Sequence, residues 1–456
     1  MNKNRAELGE APIGKLLLKL SLPATFGMII NGLYNLVDTI FIGRGVGTDA
    51  IGGLALSFPA QMIIIGFGIA IGQGAASVVS RNLGAQNDQR ARRAAGNAFA
   101  LALTAGLLIL IFGRLFFEPL LNLLGATDAL RIYSRDYLSI ILLGSPFTAM
   151  SMVANNLLRA EGKAKISMVV MLIGAVTNII LDPIFIFVFR MGVAGAAWAT
   201  IIGQILSFLY ASRYFLMRKT IVQVRAKHWV PQGSVIREIL SLGFPAFVRQ
   251  GGQSIVAVML NNMLGRYGGD IYISAYGVVN RLLMFLLMPL FGTVQGFQPV
   301  AGFNYGAGLY DRVRKTLKLT IIYATTYTTT GFLLLFFMPR FFAGIFSTDP
   351  VLIDTIVYVV RYIIAVFPIL GIQIIGGAYF LVIGKSFPSL ILNLSRQFLF
   401  LIPLLLILPG IFGLTGLLVS FPIADFLATI LTVVWLLVEL RHLDKKTNLQ
   451  GKLSIT

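Results

Sequence analysis

Twelve long apolar stretches follow one another along the chain, separated by charged residues, glycine or proline. They predict helices near 16–43, 53–80, 93–115, 136–158, 166–189, 193–215, 236–264, 272–303, 314–338, 357–382, 387–408 and 413–439. Each can cross a bilayer, for which about 20 residues suffice. Twelve spans consume most of the 456 residues, so loops are short and no sizeable aqueous domain remains. The pattern predicts an all-α integral membrane protein in close contact with the lipid bilayer. Hydrophobic residues make up 57% of the chain and charged ones 12%, with a mean hydropathy of +0.84, which excludes a soluble globule.

Lys and Arg outnumber Asp and Glu by 37 to 18. In a soluble protein that balance would suggest nucleic acid; here its location gives it another meaning. The side holding both termini carries about 26 of the cationic residues and the opposite side eight, which predicts both termini in the cytoplasm and no nucleic-acid partner. Cysteine is absent and only His228 and His442 occur, both in basic stretches that read as loops, so disulfides and Cys/His zinc sites are excluded. No cleavage site precedes the first span, and no removable signal peptide is expected. The short outer loops lack His, which argues against a membrane enzyme.

At an offset of 222 the chain matches itself. Leu22-Pro23-Ala24 falls on Phe244-Pro245-Ala246 and Gly43-Arg44 on Gly265-Arg266; between 72–93 and 294–315, eight of 22 positions are identical. With one-residue slips, Thr127-Asp128 meets Thr348-Asp349 and Gly192 meets Gly413. The expected plan is a six-helix bundle over 1–217, a cytoplasmic linker loop over 218–235 with Arg218, Lys219, Arg225 and Lys227, and a second six-helix bundle over 236–456. An even number of spans gives both copies the same orientation about an axis along the membrane normal. Transporters use such 6+6 repeats around a central cavity for alternating access; a duplicated scaffold without transport is the plainer account.

Ionisable residues at membrane depth are costly and need an explanation. Asn31, Asn35 and Asp38 share one face of the first helix, with Tyr34 beside it. Asp38 could instead lie among headgroups, neutralised by Arg44. Asn178 and Asp182 share a face of the fifth span; Pro183 frees the Ile179 carbonyl and favours a bend there. That acid could equally mark a solvated helix end, and Thr200 on the sixth span could simply back-bond to its own helix. The second copy has Gln253, Ala257, Leu260, Phe400 and Leu404 at the matching positions, so the fold does not need the acids and a functional cluster is favoured. Two carboxylates in a water-poor bundle share a proton or hold a cation. Asp38, Asn178, Asp182 and Thr200 could supply oxygens to Na+ as a metal site, or exchange H+. In the second half Arg249, Arg281, Arg396 and Asp425 fall within spans; Arg396 and Asp425 could pair, or Asp425 could face the cavity. Met62, Met259 and Met284 are candidates for an adaptable, polarisable cavity wall.

The chain resembles the multidrug and toxic compound extrusion (MATE) family in the segments PATFGMIINGLYNLVDTIFIGRGVG, GQGAASVVSRNLGAQN, LRAEGKAK, NIILDPIFI, GVAGAAWAT and VQGFQPVAGFNYGA, in order over almost the whole length. SRQFLF and FPIADF look most like its bacterial multidrug-exporter branch. The resemblance implies a multi-pass, monomeric antiporter in the bacterial cytoplasmic membrane, without a cofactor, that expels cationic amphiphilic drugs and dyes in exchange for Na+ or H+. By motif it places the coupling site on Asp38, Asn178, Asp182 and Thr200 and links a bend at Pro23 to that acid's occupancy. One branch of the family couples through a C-terminal acid, which this chain lacks between Tyr358 and Val382. A flippase for lipid-linked sugars shares the 6+6 plan and would use the C-terminal arginines for a pyrophosphate.

Overall fold

The computed structural model describes residues 3–124, 128–217 and 220–453; Thr127, Arg218 and Lys219 lie outside the described residues. The first six long helices are α1 (Ile13–Gly45), α2 (Thr48–Gly84), α3 (Asp88–Leu115), α4 (Asp128–Ala160), α5 (Ala164–Val188) and α6 (Gly192–Leu216). They are followed by α7 (Gly233–Gly268), α8 (Asp270–Gly306), α9 (Tyr310–Phe337), α10 (Pro350–Ile363 with Phe367–Val382), α11 (386–412) and α12 (414–453). By length and hydropathy nine helices among the described residues qualify as membrane spans, and the two pieces of α10, bent by 53°, make a tenth. One of the nine, 62 residues long, is two spans, because the chain breaks at Gly413 with φ 58° and ψ −137°. The remaining span is α7, 36 residues long but polar along its second half, with Gln250, Gln253, Ser254, Asn261 and Asn262.

Helices outlast the apolar runs that predict them, because backbone hydrogen bonds continue into water where pairs of charges support them. Thus α12 carries His442, expected in a loop, and Asp444 there accepts from Arg314 at 2.9 Å.

The duplication is visible in the backbone. Positive φ values occur at Gly47 and Gly269, Gly162 and Gly384, Gly192 and Gly413, and Gln86 and Gly308, all partners in the repeat. Both fifth spans contain a π-helical turn, Ile184–Val188 in α5 and Ser395–Leu401 in α11.

The halves meet along a seam built by α1 against α8 and α2 against α7, with reciprocal contacts at residues that lack a side chain. A methyl group on Gly84 would strike the Phe303 carbonyl, and one on Gly306 the Arg81 carbonyl; Gly74 packs on Gly243, and Gly296 on Ser21. Each contact is the image of its partner at the 222-residue offset, which places a pseudo-twofold axis along the helices. Glu238 of the second half accepts from Arg81 at 2.9 Å and Arg90 at 2.7 Å of the first. The N-terminal helix Lys3–Glu10 spans both halves: Arg5 pairs with Asp88, and the Leu8 carbonyl accepts from Asn304 at 3.1 Å. The linker is fastened to the first half. Buried Glu161 accepts from the backbone of Ile221 and Val222, and Asn97 accepts from Gln232 and donates to the His228 and Val230 carbonyls.

All these contacts lie toward the end that bears the termini. The stripes that form the seam, continued at helical spacing toward the other end, become exposed. On α1, buried Ser21 leads to exposed Asn35 and Thr39; on α8, buried Gly296, Gly292 and Met288 lead to Met284 and Arg281; on α7, Gly243 leads to Ser254 and Asn261. The halves therefore close at one end and part toward the other.

Within the second half, Arg396 on the π turn of α11 pairs with Asp425 of α12, whose carboxylate is buried. Breaking a buried pair leaves one charge without its partner, at a cost of about 3 kcal/mol.

Two outcomes follow. The chain has no cysteine, so a Ser80→Cys reporter on the buried seam is unique; with Gly84→Val added, its labelling by a water-soluble maleimide should speed up at least about tenfold, because the branched side chain forces the seam apart. In thermal melts Arg396→Met should lower the Tm by several degrees, and Arg396→Met with Asp425→Leu should recover most of the loss.

Candidate functional site

The acids of the first half come together. Asp38 lies about seven residues before the end of α1 and is 8% exposed; Asp182, the penultimate residue before the π turn of α5, is fully buried. Their carboxyl groups are within hydrogen-bonding reach of one another. Asp38 thus faces Asp182 across the α1–α5 contact, while Arg44 sits exposed one and a half turns on.

Local sequence sets this geometry. The helix of α5 does not end at Asp182-Pro183: it passes through Pro183 at φ −62° and widens into the π turn over Ile184–Val188. Proline cannot donate to the preceding turn, and the wider turn absorbs the mismatch. Asp182 is thereby kept inside the bundle instead of being released to solvent. Asn178, one turn earlier and 2% exposed, donates its amide to Asp182 Oδ1 at 3.3 Å and to Thr200 Oγ1 of α6 at 3.1 Å. Thr200 thus engages α5 through its hydroxyl.

This orientation turns oxygens inward. Asp38 Oδ1, Asp182 Oδ2 and Asn178 Oδ1 are all buried and have no hydrogen-bond partner among the described residues. Buried polar atoms are almost always satisfied, so three unsatisfied oxygens from one cluster form an electron-rich pocket suited to a proton or a hard monovalent cation.

Aromatic residues close the pocket. Tyr34, half-buried on α1, and Tyr137 of α4, 3% exposed, both lie close enough to feel the two acids, and Gln61 of α2 lies beside Tyr137. Tyr137 and Gln61 were not among the residues singled out from the sequence: Tyr137 follows Arg131, Arg135 and Asp136 and reads as interfacial. A tyrosine at the foot of an apolar run, which needs a partner once buried, is the signal that could have marked it.

The remaining candidates scatter. Asn31 and Asn35 are exposed on the approach to Asp38, and Asn35 donates to the Asn31 carbonyl at 2.8 Å. Met62 accepts from Gln250 across the seam at 2.9 Å. Met284 is 61% exposed on the parting face of α8, whereas Met259 packs into the apolar core of the second half. Asp425 is held by Arg396. Pro23 is buried inside α1, which runs through it as one helix. In the second half Leu260, Phe400 and Leu404 fill the place that corresponds to the acid cluster, so the repeat has a pocket on one side and packed hydrocarbon on the other.

Comparison with known proteins places this architecture. The MatE family model matches twice, over residues 23–184 and 245–407, together more than two thirds of the chain and one match in each repeat. The multidrug export protein MepA of Staphylococcus aureus is 27% identical over 97% of this chain and 98% of its own length. The structure of the MATE multidrug transporter DinF-BH in complex with rhodamine 6G shares 42% identity, covering 94% of this chain and 95% of that one, with a TM-score of 0.87. An outward-facing conformation of a multidrug resistance MATE family transporter has a TM-score of 0.91 at 26% identity, covering 97% of this chain and 99% of that one. With twelve spans in two repeats and a family match in each, the chain belongs to the MatE family and is a membrane transporter of the bacterial multidrug-export kind, not an enzyme.

Proposed function

We propose that this transporter expels cationic amphiphilic drugs and dyes by antiport with Na+ or H+, and that Asp38, Asn178, Asp182 and Thr200 are the coupling site. The observation that carries the reading is the set of three buried, unpartnered oxygens on Asp38, Asn178 and Asp182. Two facing carboxyl groups without a cationic partner cannot both stay charged at low cost. A proton between them, or a sodium ion held by them with the Asn178 and Thr200 oxygens, relieves the repulsion.

The same negative charge attracts a cationic drug. Drug and ion therefore compete, either directly or through the conformation of α1, whose Asn31–Asn35 face leads from the cavity to Asp38. An ion entering from outside displaces the drug outward, and the emptied site favours return to the inner side. The dye in the related DinF-BH complex supports a rhodamine-like cation as substrate. Met284 and Met62 offer polarisable surface to such a body.

The excess of Lys and Arg on the terminus-bearing side supports cytoplasmic termini in a bacterial cytoplasmic membrane. In that orientation the closed seam lies inside and the parted stripes face outward. The two bodies that rock are residues 1–217 and 236–456, with 218–235 as linker; Glu161 and Asn97 make most of that linker travel with the first body. A single chain carries both halves of the cavity, so the monomer is the working unit. Pro23 and Pro183 are the bend points of α1 and α5.

In liposomes with inward Na+ or H+ gradients applied separately, wild type should expel rhodamine 6G under at least one of them. Asp38→Asn should reduce that rate by at least about tenfold while expressing normally; transport at the wild-type rate in Asp38→Asn would defeat the assignment.

A further inference from the structure

The cavity wall of the second half carries charge of the opposite sign to the acid cluster. Arg281 of α8 is exposed and, among the described residues, has neither a hydrogen bond nor an ion pair. It lies on the stripe that continues from the seam contacts Gly296, Gly292 and Met288, at helical spacing past Met284. Eleven residues separate it from the start of α8 at Asp270, about 16 Å of helix at 1.5 Å per residue, which places it inside the span and away from its outer end. A guanidinium at that depth facing lipid is strongly disfavoured. The two facts agree that Arg281 faces the water-filled gap between the halves. Arg249 of α7, whose guanidinium lies 5.8 Å from the centre of the Phe291 ring, likewise has no carboxylate partner among the described residues. Arg396 differs, since Asp425 neutralises it.

We propose that Arg281 is a substrate-recognition residue for the anionic group of zwitterionic amphiphiles, molecules with an apolar cationic ring system and a carboxylate. This rests on the cavity assigned above to export, and names the residue by which that cavity discriminates among its substrates. The planar guanidinium presents paired N–H donors that match two carboxylate oxygens, and it stays charged at any physiological pH. The cationic part of the same molecule turns toward the Asn31–Asn35–Asp38 face, and the apolar body lies against Met284. A cavity with an acid on one wall and a free arginine on the other selects molecules whose charges are separated, while a cation alone uses only the acid side.

Rhodamine 6G is the ethyl ester of rhodamine 19, so the two dyes share every other group and differ only in that rhodamine 19 has a free carboxylate. Equilibrium binding of both dyes to the purified full chain, followed by fluorescence polarisation, isolates the contribution of the anionic group. Arg281→Gln should raise the Kd for rhodamine 19 about tenfold relative to the Kd for rhodamine 6G, and Arg281→Lys should restore part of that ratio. An unchanged ratio, with both Kd values steady or both shifted by the same factor, would overturn the proposal. So would displacement of rhodamine 19 by phosphatidylglycerol added to the micelles, which would assign Arg281 to lipid. Failure of wild type to bind rhodamine 6G would instead count against the export reading, because the rhodamine 19 arm reads Arg281 by itself.

Discussion

Two carboxyl groups face each other inside the first half of the molecule with no cation from the protein between them, and the rest of the architecture exists around that unrelieved contact. Asp38 comes from α1 and Asp182 from α5, 144 residues apart in sequence. Only a tightly packed bundle can hold them together against their repulsion. The π turn after Pro183 keeps Asp182 from fraying to solvent, and Asn178 fixes its carboxylate by one hydrogen bond while leaning on Thr200 with another. On the coupling proposed above, an ion that reaches this charge defect settles it and links occupancy of the pocket to the position of α1.

In the proposed cycle the seam is what converts that local event into movement between two sides. Its contacts are backbone against backbone at Gly84, Gly306, Gly74 and Gly296, related by the pseudo-twofold axis. Polar ties at the terminus-bearing end, Glu238 to Arg81 and Arg90 and the N-terminal helix to Asn304, hold the seam shut there. Under the proposed alternating access, opening that end must break these ties, while α1, α7 and α8 already expose polar faces at the other end. In the proposed cycle symmetry supplies the rocking geometry and the broken symmetry of the acid cluster supplies its control.

Much of this was legible in the residues. The twelve spans follow from the apolar runs, and even the breaks were marked: Gly192 and Gly413 match in the repeat and both take positive φ. The acid cluster was legible because the second copy lacks it, and in the fold Leu260, Phe400 and Leu404 do fill the corresponding space. What stayed hidden depends on tertiary contact. Tyr137 and Gln61 join the pocket from helices whose local pattern says nothing about depth. Asp425 could equally have faced the cavity until the turn of α11 set Arg396 against it. Met259 and Met284 look alike in sequence, yet one packs in the core and the other lines the gap, because a helix face is assigned by its neighbours.

Competition at a single charge is the central claim, and binding equilibrium tests it without any transport assay. The Kd of rhodamine 6G for the purified protein would be titrated with Na+ at fixed pH and with H+ in the absence of Na+. The account predicts that at least one ion raises the Kd progressively until its site fills, and that Asp38→Asn removes this dependence. A wild-type Kd indifferent to both ions would contradict it.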